Sequence, residues 1–155
     1  MSNSVKVLQV QEVRKSQVRI LVVDDFELWL RFVTNRVHDQ PDLQIVGVAS
    51  DGVEAVQKAE ELQPDLILLD IGLPKLNGIE AARQIRTLVP TSKILFSSVS
   101  SYQTAVQAAF GAGGCGYLVK SDAAADLLPA IKAVAQGEQF VSSSLACSSD
   151  ISQMV

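Results

Sequence analysis

The run Leu66-Ile67-Leu68-Leu69 is continuous apolar sequence that stops at Asp70 and then breaks into Gly72, Pro74 and Gly78. An apolar run this short, bounded by turn formers, reads as a strand buried on both faces of a parallel sheet. Asp70 then stands at the carboxyl end of that strand, at the lip where open α/β sheets place their ligands. A carboxylate held there loses hydration and needs a cation or hydrogen-bond donors to stay charged. The same residue can also do no more than open the turn that follows. What the other strands deliver to the same edge decides between the two readings.

The rest of the chain supplies four more strands and five helices. Val18 to Val23 is a strand ending in Asp24-Asp25, and Phe26 to Val37 has helical apolar spacing through Trp29, Phe32, Val33 and Val37. Leu43 to Ala49 is a second strand, and Asp51-Gly52 opens a helix that Pro64 stops. After the Leu66 strand come a helix over 77–88, a strand over 93–98, an Ala-rich helix over 102–110 and a strand over 116–119 ending in Lys120. Ser121 or Asp122 can cap a last helix that runs through Leu127, Leu128, Ile131 and Val134 to Gly137. Pro129 would cost about 3 kcal/mol in a helix interior, so the regular helix is expected to begin later, near Asp126. The expected fold is α/β, a doubly wound five-stranded parallel sheet with five helices and right-handed crossovers. Its boundaries are an N-terminal arm over 1–17, the folded domain over 18–139, and a Ser-rich tail or truncated linker over 140–155.

Four strand ends converge on the switch-point crevice, bringing Asp24, Asp25, Asp70, Ser98 and Lys120. Singly, each has an ordinary explanation: a helix cap, a turn residue, a solvated cation. Together they make a chemical unit. Carboxylates this close repel one another, and one of them is driven to take a proton. A hard divalent ion removes the repulsion, and oxygen ligands with room for water suit Mg2+. The ion and Lys120 would form a cationic clamp for a phosphoryl group. A carboxylate can attack phosphorus to give an aspartyl phosphate. Ser98 can hydrogen-bond a phosphoryl oxygen and pull on the loop that follows, which is the pattern of a switch.

Asp24-Asp25, Asp70 with Leu73-Pro74 and Asn77-Gly78, Ser98, and Gly116-Tyr117-Leu118-Val119-Lys120 together resemble the receiver domain of bacterial two-component response regulators. The resemblance covers Val18 to Gln139 and implies a flavodoxin-like receiver fold. It implies Asp70 as phosphoacceptor, Asp25 as a direct Mg2+ ligand, Asp24 acting largely through water, and the backbone carbonyl of Gly72 as a further ligand. Ser98 takes the place of the switch Ser/Thr, Lys120 that of the phosphate-binding lysine, and Tyr117 that of the switch aromatic. Tyr117 can equally be a half-buried aromatic on an edge strand. The implied donor is a phosphohistidine on a sensor histidine kinase or phosphotransfer protein. The family's usual signalling face, the 102–110 helix with strand five and the last helix, carries Ala105, Ala108, Ala109 and Phe110. These can dock a partner or a second copy in a homodimer, or simply pack on the sheet. Ser121 stands where many receivers have proline, as in members whose output is a helix-turn-helix DNA-binding domain. Asp42 to Gly47 and Ala135 to Glu138 resemble that subfamily too. The expectation is therefore a piece of a transcriptional regulator whose DNA-binding domain is absent here, the alternative being a stand-alone receiver acting by protein–protein contact.

Composition narrows the competitors. A net charge of −4 gives this domain no electrostatic case for nucleic acid. No apolar run is long enough to span a bilayer and no signal-peptide block appears. Cys115 and Cys147 form no metal or redox spacing, so the thiols read as reduced and the protein as cytoplasmic. His38 ends the first helix, away from the crevice, and is given no role. An Asp-nucleophile phosphatase of the haloacid-dehalogenase type resembles Asp-x-Asp-x-Thr, but position 72 is Gly. A nucleotide site would need a Gly-rich loop where this chain has Asp24-Asp25-Phe26. The expected function is thus a non-enzymatic signalling module.

Overall fold

A computed structural model of the chain describes residues 17–146. The expected arm is outside these residues except for Gln17, whose side-chain amide donates to the Pro41 carbonyl at 3.0 Å. The end of the expected tail, Cys147 included, is outside them too. The strands are β1 (Val18–Val23), β2 (Leu43–Ala49), β3 (Leu66–Asp70), β4 (Lys93–Ser98), β5 (Gly116–Val119) and β6 (Phe140–Val141). The helices are α1 (Glu27–His38), α2 (Gly52–Leu62), α3 (Gly78–Leu88), α4 (Gln103–Gly111), α5 (Ala123–Ala135) and α6 (Ser143–Ala146). All neighbouring strands pair in parallel, in the order β2-β1-β3-β4-β5-β6.

β3 is buried along its whole length, so both of its faces need a hydrophobic layer. On one face Leu21, Val23, Ile67, Leu69 and Phe96 meet Ala55 and Ala59 of α2, Ile85 of α3 and Val106 and Ala109 of α4. On the other, Ile20, Val22, Leu66, Leu68 and Leu95 meet Trp29, Val33 and Val37 of α1 and Leu127, Ile131 and Val134 of α5. Asp51 and Asn77 cap α2 and α3, accepting from the backbone N–H groups of Glu54 and Glu80 at 2.8 and 3.0 Å.

Two expectations are corrected. The sheet has six strands and the described residues form six helices, because part of the expected tail is folded. Phe140 and Val141 pair with Gly116 and Tyr117, and Leu145 is buried. A two-residue strand leaves no readable period, and the serines that follow it bind through backbone and side chains alike. The fully buried Ser142 donates its N–H to the Tyr117 carbonyl (3.0 Å), and its Oγ accepts the Val119 N–H (2.9 Å). Ser143 Oγ donates to Asp126, and Ser144 Oγ donates to Asp122 at 2.6 Å.

The second correction concerns Pro129, which lies inside α5 rather than near its start; the helix begins at Ala123, after a 3-10 turn over Lys120–Asp122. Pro129 itself is exposed, while Leu127, Ile131 and Val134 are buried around it. Burying each such side chain contributes about 1.5–3 kcal/mol. Together they outweigh the roughly 3 kcal/mol that an interior proline costs.

Removing the Ser142 hydroxyl strands the Val119 N–H inside the protein. Ser142→Ala is expected to lower the unfolding free energy by about 1–3 kcal/mol in urea denaturation. A loss below about 0.5 kcal/mol, the range of ordinary surface changes, would mean that the segment after β6 is not bound to β5 in this way.

Candidate functional site

Asp24 and Asp25 follow the last residue of β1, Asp70 ends β3, Ser98 ends β4, and Lys120 follows β5. Parallel pairing places these ends side by side: Val23 is opposite Leu69, Asp70 opposite Ser97, and Ser98 opposite Val119. One carboxylate oxygen from each of Asp24, Asp25 and Asp70 lies within 4.8 Å of the others. Asp24 is fully buried, Asp70 is 7% exposed, and Asp25 faces solvent.

The Asp24 carboxylate is already engaged. Its Oδ1 accepts the Phe26 N–H at 2.9 Å, and its Oδ2 accepts from Lys120 Nζ at 2.6 Å. The same ammonium is 3.6 Å from Asp70 Oδ1. Burial first, and then the charge of Asp24, pushes the Asp70 carboxyl above its ordinary value of 3.8. Lys120 and the Gly72 N–H oppose that shift, and Asp25 adds to it.

The loop after β3 is anchored by two close backbone approaches. A Cβ at Gly78 would lie 2.1 Å from the Asp70 carbonyl oxygen, and one at Gly52 would lie 1.8 Å from that of Leu76. Both positions therefore demand glycine. Lys75 adds an ion pair of 3.4 Å to Asp51. A Cβ at Gly72 would meet nothing within 4 Å, so the space beside the loop after β3 is open.

Ser98 and Tyr117 belong to a second network, behind Asp70. Ser98 Oγ accepts the Ser100 N–H at 3.0 Å, and the Tyr117 hydroxyl donates to the Ser100 carbonyl at 2.7 Å. Tyr117 is fully buried rather than half-buried, because β6 covers what would have been the edge. That burial pushes its phenol above the ordinary value. The loop tied down by these bonds carries Val99 and Tyr102, 84% and 77% exposed.

Beside Lys120 runs a groove of about 480 Å³ lined by apolar residues including Phe26, Leu28, Phe32 and Val99. His38 is exposed at the end of α1. Of the Ala-rich face, Ala109 is buried and Ala105 and Phe110 pack against the core, leaving Ala108 exposed. Sequence reasoning missed Ser100, whose backbone joins Ser98 to Tyr117, and Trp29, read only as an inward helix residue. The indole of Trp29 lies under the Lys120 ammonium. A helical period shows which residues face inward but not what they touch there.

Comparison with known proteins converges on one family. Residues 20–132 match the response regulator receiver domain. The chain is 34% identical over 131 residues to the transcriptional regulatory protein DegU of Brevibacillus brevis, covering 84% of this chain and 56% of that protein. It is 37% identical over 126 residues to the nitrate/nitrite response regulator protein NarL of Escherichia coli K12, covering 81% and 58%. The chain thus spans less than two thirds of the length of these curated relatives. A two-component response regulator of the LuxR family from Aurantimonas sp. SI85-9A1 superposes with a TM-score of 0.83 at 31% identity, covering 90% of this chain and all of that one.

The raised Asp70 pKa makes a pH prediction. In the window above 3.8 the folded protein holds a proton that the unfolded chain has lost, so this group's contribution to stability improves as pH falls and worsens as pH rises. Asp70→Asn is therefore expected to raise the melting temperature of the metal-free protein by a few degrees at pH 7, with the difference shrinking on acidification. Thermal denaturation in the presence of a chelator measures it. A difference that stays constant or grows as pH falls would contradict the assignment.

Proposed function

The chain belongs to the response regulator receiver domain family, and from that premise we propose that Asp70 accepts a phosphoryl group and that Ser98 and Tyr117 carry the resulting change outward. The observation that carries this reading is the carboxylate trio within 4.8 Å with the Lys120 ammonium between Asp24 and Asp70.

The donor set fits a small hard cation. It is all oxygen, its charges repel, and Asp25 is exposed while Asp24 is already committed to Phe26 and Lys120. Asp25 would hold Mg2+ directly, with Asp70 and the Gly72 carbonyl, and Asp24 largely through water. The chemistry that a bound Mg2+ would supply there is positive charge against the phosphoryl group. The donor is a phosphohistidine of a sensor histidine kinase or phosphotransfer protein. An Asp70 carboxylate oxygen attacks phosphorus, the O–P bond forms as the P–N bond breaks, and the electron pair leaves on the donor imidazole. Lys120 needs only a short swing from Asp24 to meet a phosphoryl oxygen. Ser98 Oγ turns to donate to another, which disturbs its bond from Ser100 and so the carbonyl that holds Tyr117. The exposed loop around Val99 and Tyr102 reads that change out.

In this reading the domain turns over no outside substrate and touches no nucleic acid itself. The name of one relative, a transcriptional regulatory protein, supports transcription regulation as the output. The working compartment is the cytoplasm; among the described residues no helix is long and apolar enough to cross a membrane. The groove beside Lys120 offers the donor protein an apolar seat, and a second copy of the chain is the further partner. Intact-mass spectrometry after incubation with Mg2+ and acetyl phosphate tests the central step. The wild type is expected to gain one phosphoryl mass, dependent on Mg2+, and Asp70→Asn to gain none. A folded wild type that gains nothing from acetyl phosphate or a phosphohistidine donor would favour a receiver fold used for binding alone.

A further inference from the structure

Trp29 is the single tryptophan of the chain, and the Lys120 Nζ lies 5.1 Å from the centroid of its ring. The indole stacks on Phe32, with centroids 5.6 Å apart and planes at 28°. Arg36 in turn lies 5.0 Å over the Phe32 ring and donates to the Ala124 carbonyl at 3.1 Å. An aromatic ladder on α1 is thus fixed at one end by α5 and capped at the other by the lysine of the carboxylate site. The indole Nε1 is buried and has no hydrogen-bond partner among the described residues. Packing alone does not call for an indole there, since leucine or phenylalanine would fill space without stranding a buried N–H. What tryptophan adds is the strongest aromatic face for an ammonium.

We propose that Trp29 is a positioning residue for phosphoryl transfer: its π face holds the Lys120 ammonium level with Asp24 and Asp70 before the donor arrives. This rests on the reading of Asp70 as acceptor. Lysine is a point charge on a flexible four-carbon stem that otherwise samples solvent. Asp24 fixes its direction at 2.6 Å, and the ring supports it from the side. A π face imposes no hydrogen-bond direction, so the ammonium can turn from Asp24 toward a phosphoryl oxygen without leaving the ring. The ladder through Phe32 and Arg36 keeps the indole in place during that turn.

The test compares Trp29→Leu, Trp29→Phe and Lys120→Ala, alone and combined, with folding checked by circular dichroism. Trp29→Leu is expected to slow phosphorylation by acetyl phosphate about tenfold, while Trp29→Phe, which keeps an aromatic face, recovers most of the rate. In the Lys120→Ala background, Trp29→Leu should cause no further loss, because both changes remove one interaction. In metal-free, unphosphorylated protein, Lys120→Ala should alter the Trp29 fluorescence emission. Equal slowing by Leu and Phe, or the same fold-loss with Lys120 absent, would reduce Trp29 to a packing residue and overturn the proposal. Should Trp29→Leu not fold, the emission decides: no change in folded Lys120→Ala overturns the contact. A wild type that gains no phosphoryl group would overturn the assignment of Asp70 and this role with it.

Discussion

Three carboxylates held within 4.8 Å at the edge of a sheet repel one another, and the fold tolerates this because of what surrounds them. Asp24 is fully buried, where an unpaired charge would be prohibitive. It survives because the Phe26 N–H and the Lys120 ammonium take one oxygen each. Asp70 has less help, and its carboxyl is pushed up. The glycines at 52 and 78 let the backbone close tightly around the β3 end, where any Cβ would collide. The packed layers on both faces of the sheet hold the strand ends, and so the charges, in place. Like charges gathered this closely form a site at which a bound cation would relieve the repulsion.

In the proposed switch, a change at Ser98 would pass outward through hydrogen bonds. Ser98 and Tyr117 meet at one residue, Ser100, through its N–H and its carbonyl. A displacement of Ser98 therefore moves the atom to which Tyr117 donates. On the other side of β5, Ser142 grips the Tyr117 carbonyl and the Val119 N–H, and Ser143 and Ser144 bind Asp126 and Asp122 at the start of α5. The strand leading into Lys120 is thus held between the loop after β4 and the segment after α5.

Much of this was legible in the sequence, and the reasons differ by element. Buried strands such as Leu66 to Leu69 announce themselves by unbroken apolar runs ending in charge, and strand ends in a doubly wound sheet converge by topology. Asp24, Asp25, Asp70, Ser98 and Lys120 could therefore be assembled before any coordinates. β6 could not, because two residues carry no period and the serines that anchor the segment after it read as linker. The intrinsic cost of Pro129 points to a later helix start, and the burial of Leu127, Ile131 and Val134 beside it outweighs that cost. The Trp29–Lys120 contact joins residues far apart in sequence, and only the packing of α1 against the sheet brings them together.

The proposed function requires the carboxylate trio to be a cation site rather than a frozen ion pair. The direct measurement is calorimetric titration of Mg2+ into the metal-free wild type and into Asp25→Asn, the exposed member of the trio. One saturable site in the wild type, lost or greatly weakened in a fully folded Asp25→Asn, is the predicted result. No binding at millimolar Mg2+, or equal binding by the variant, would mean that Lys120 alone neutralises the trio, and would contradict the account.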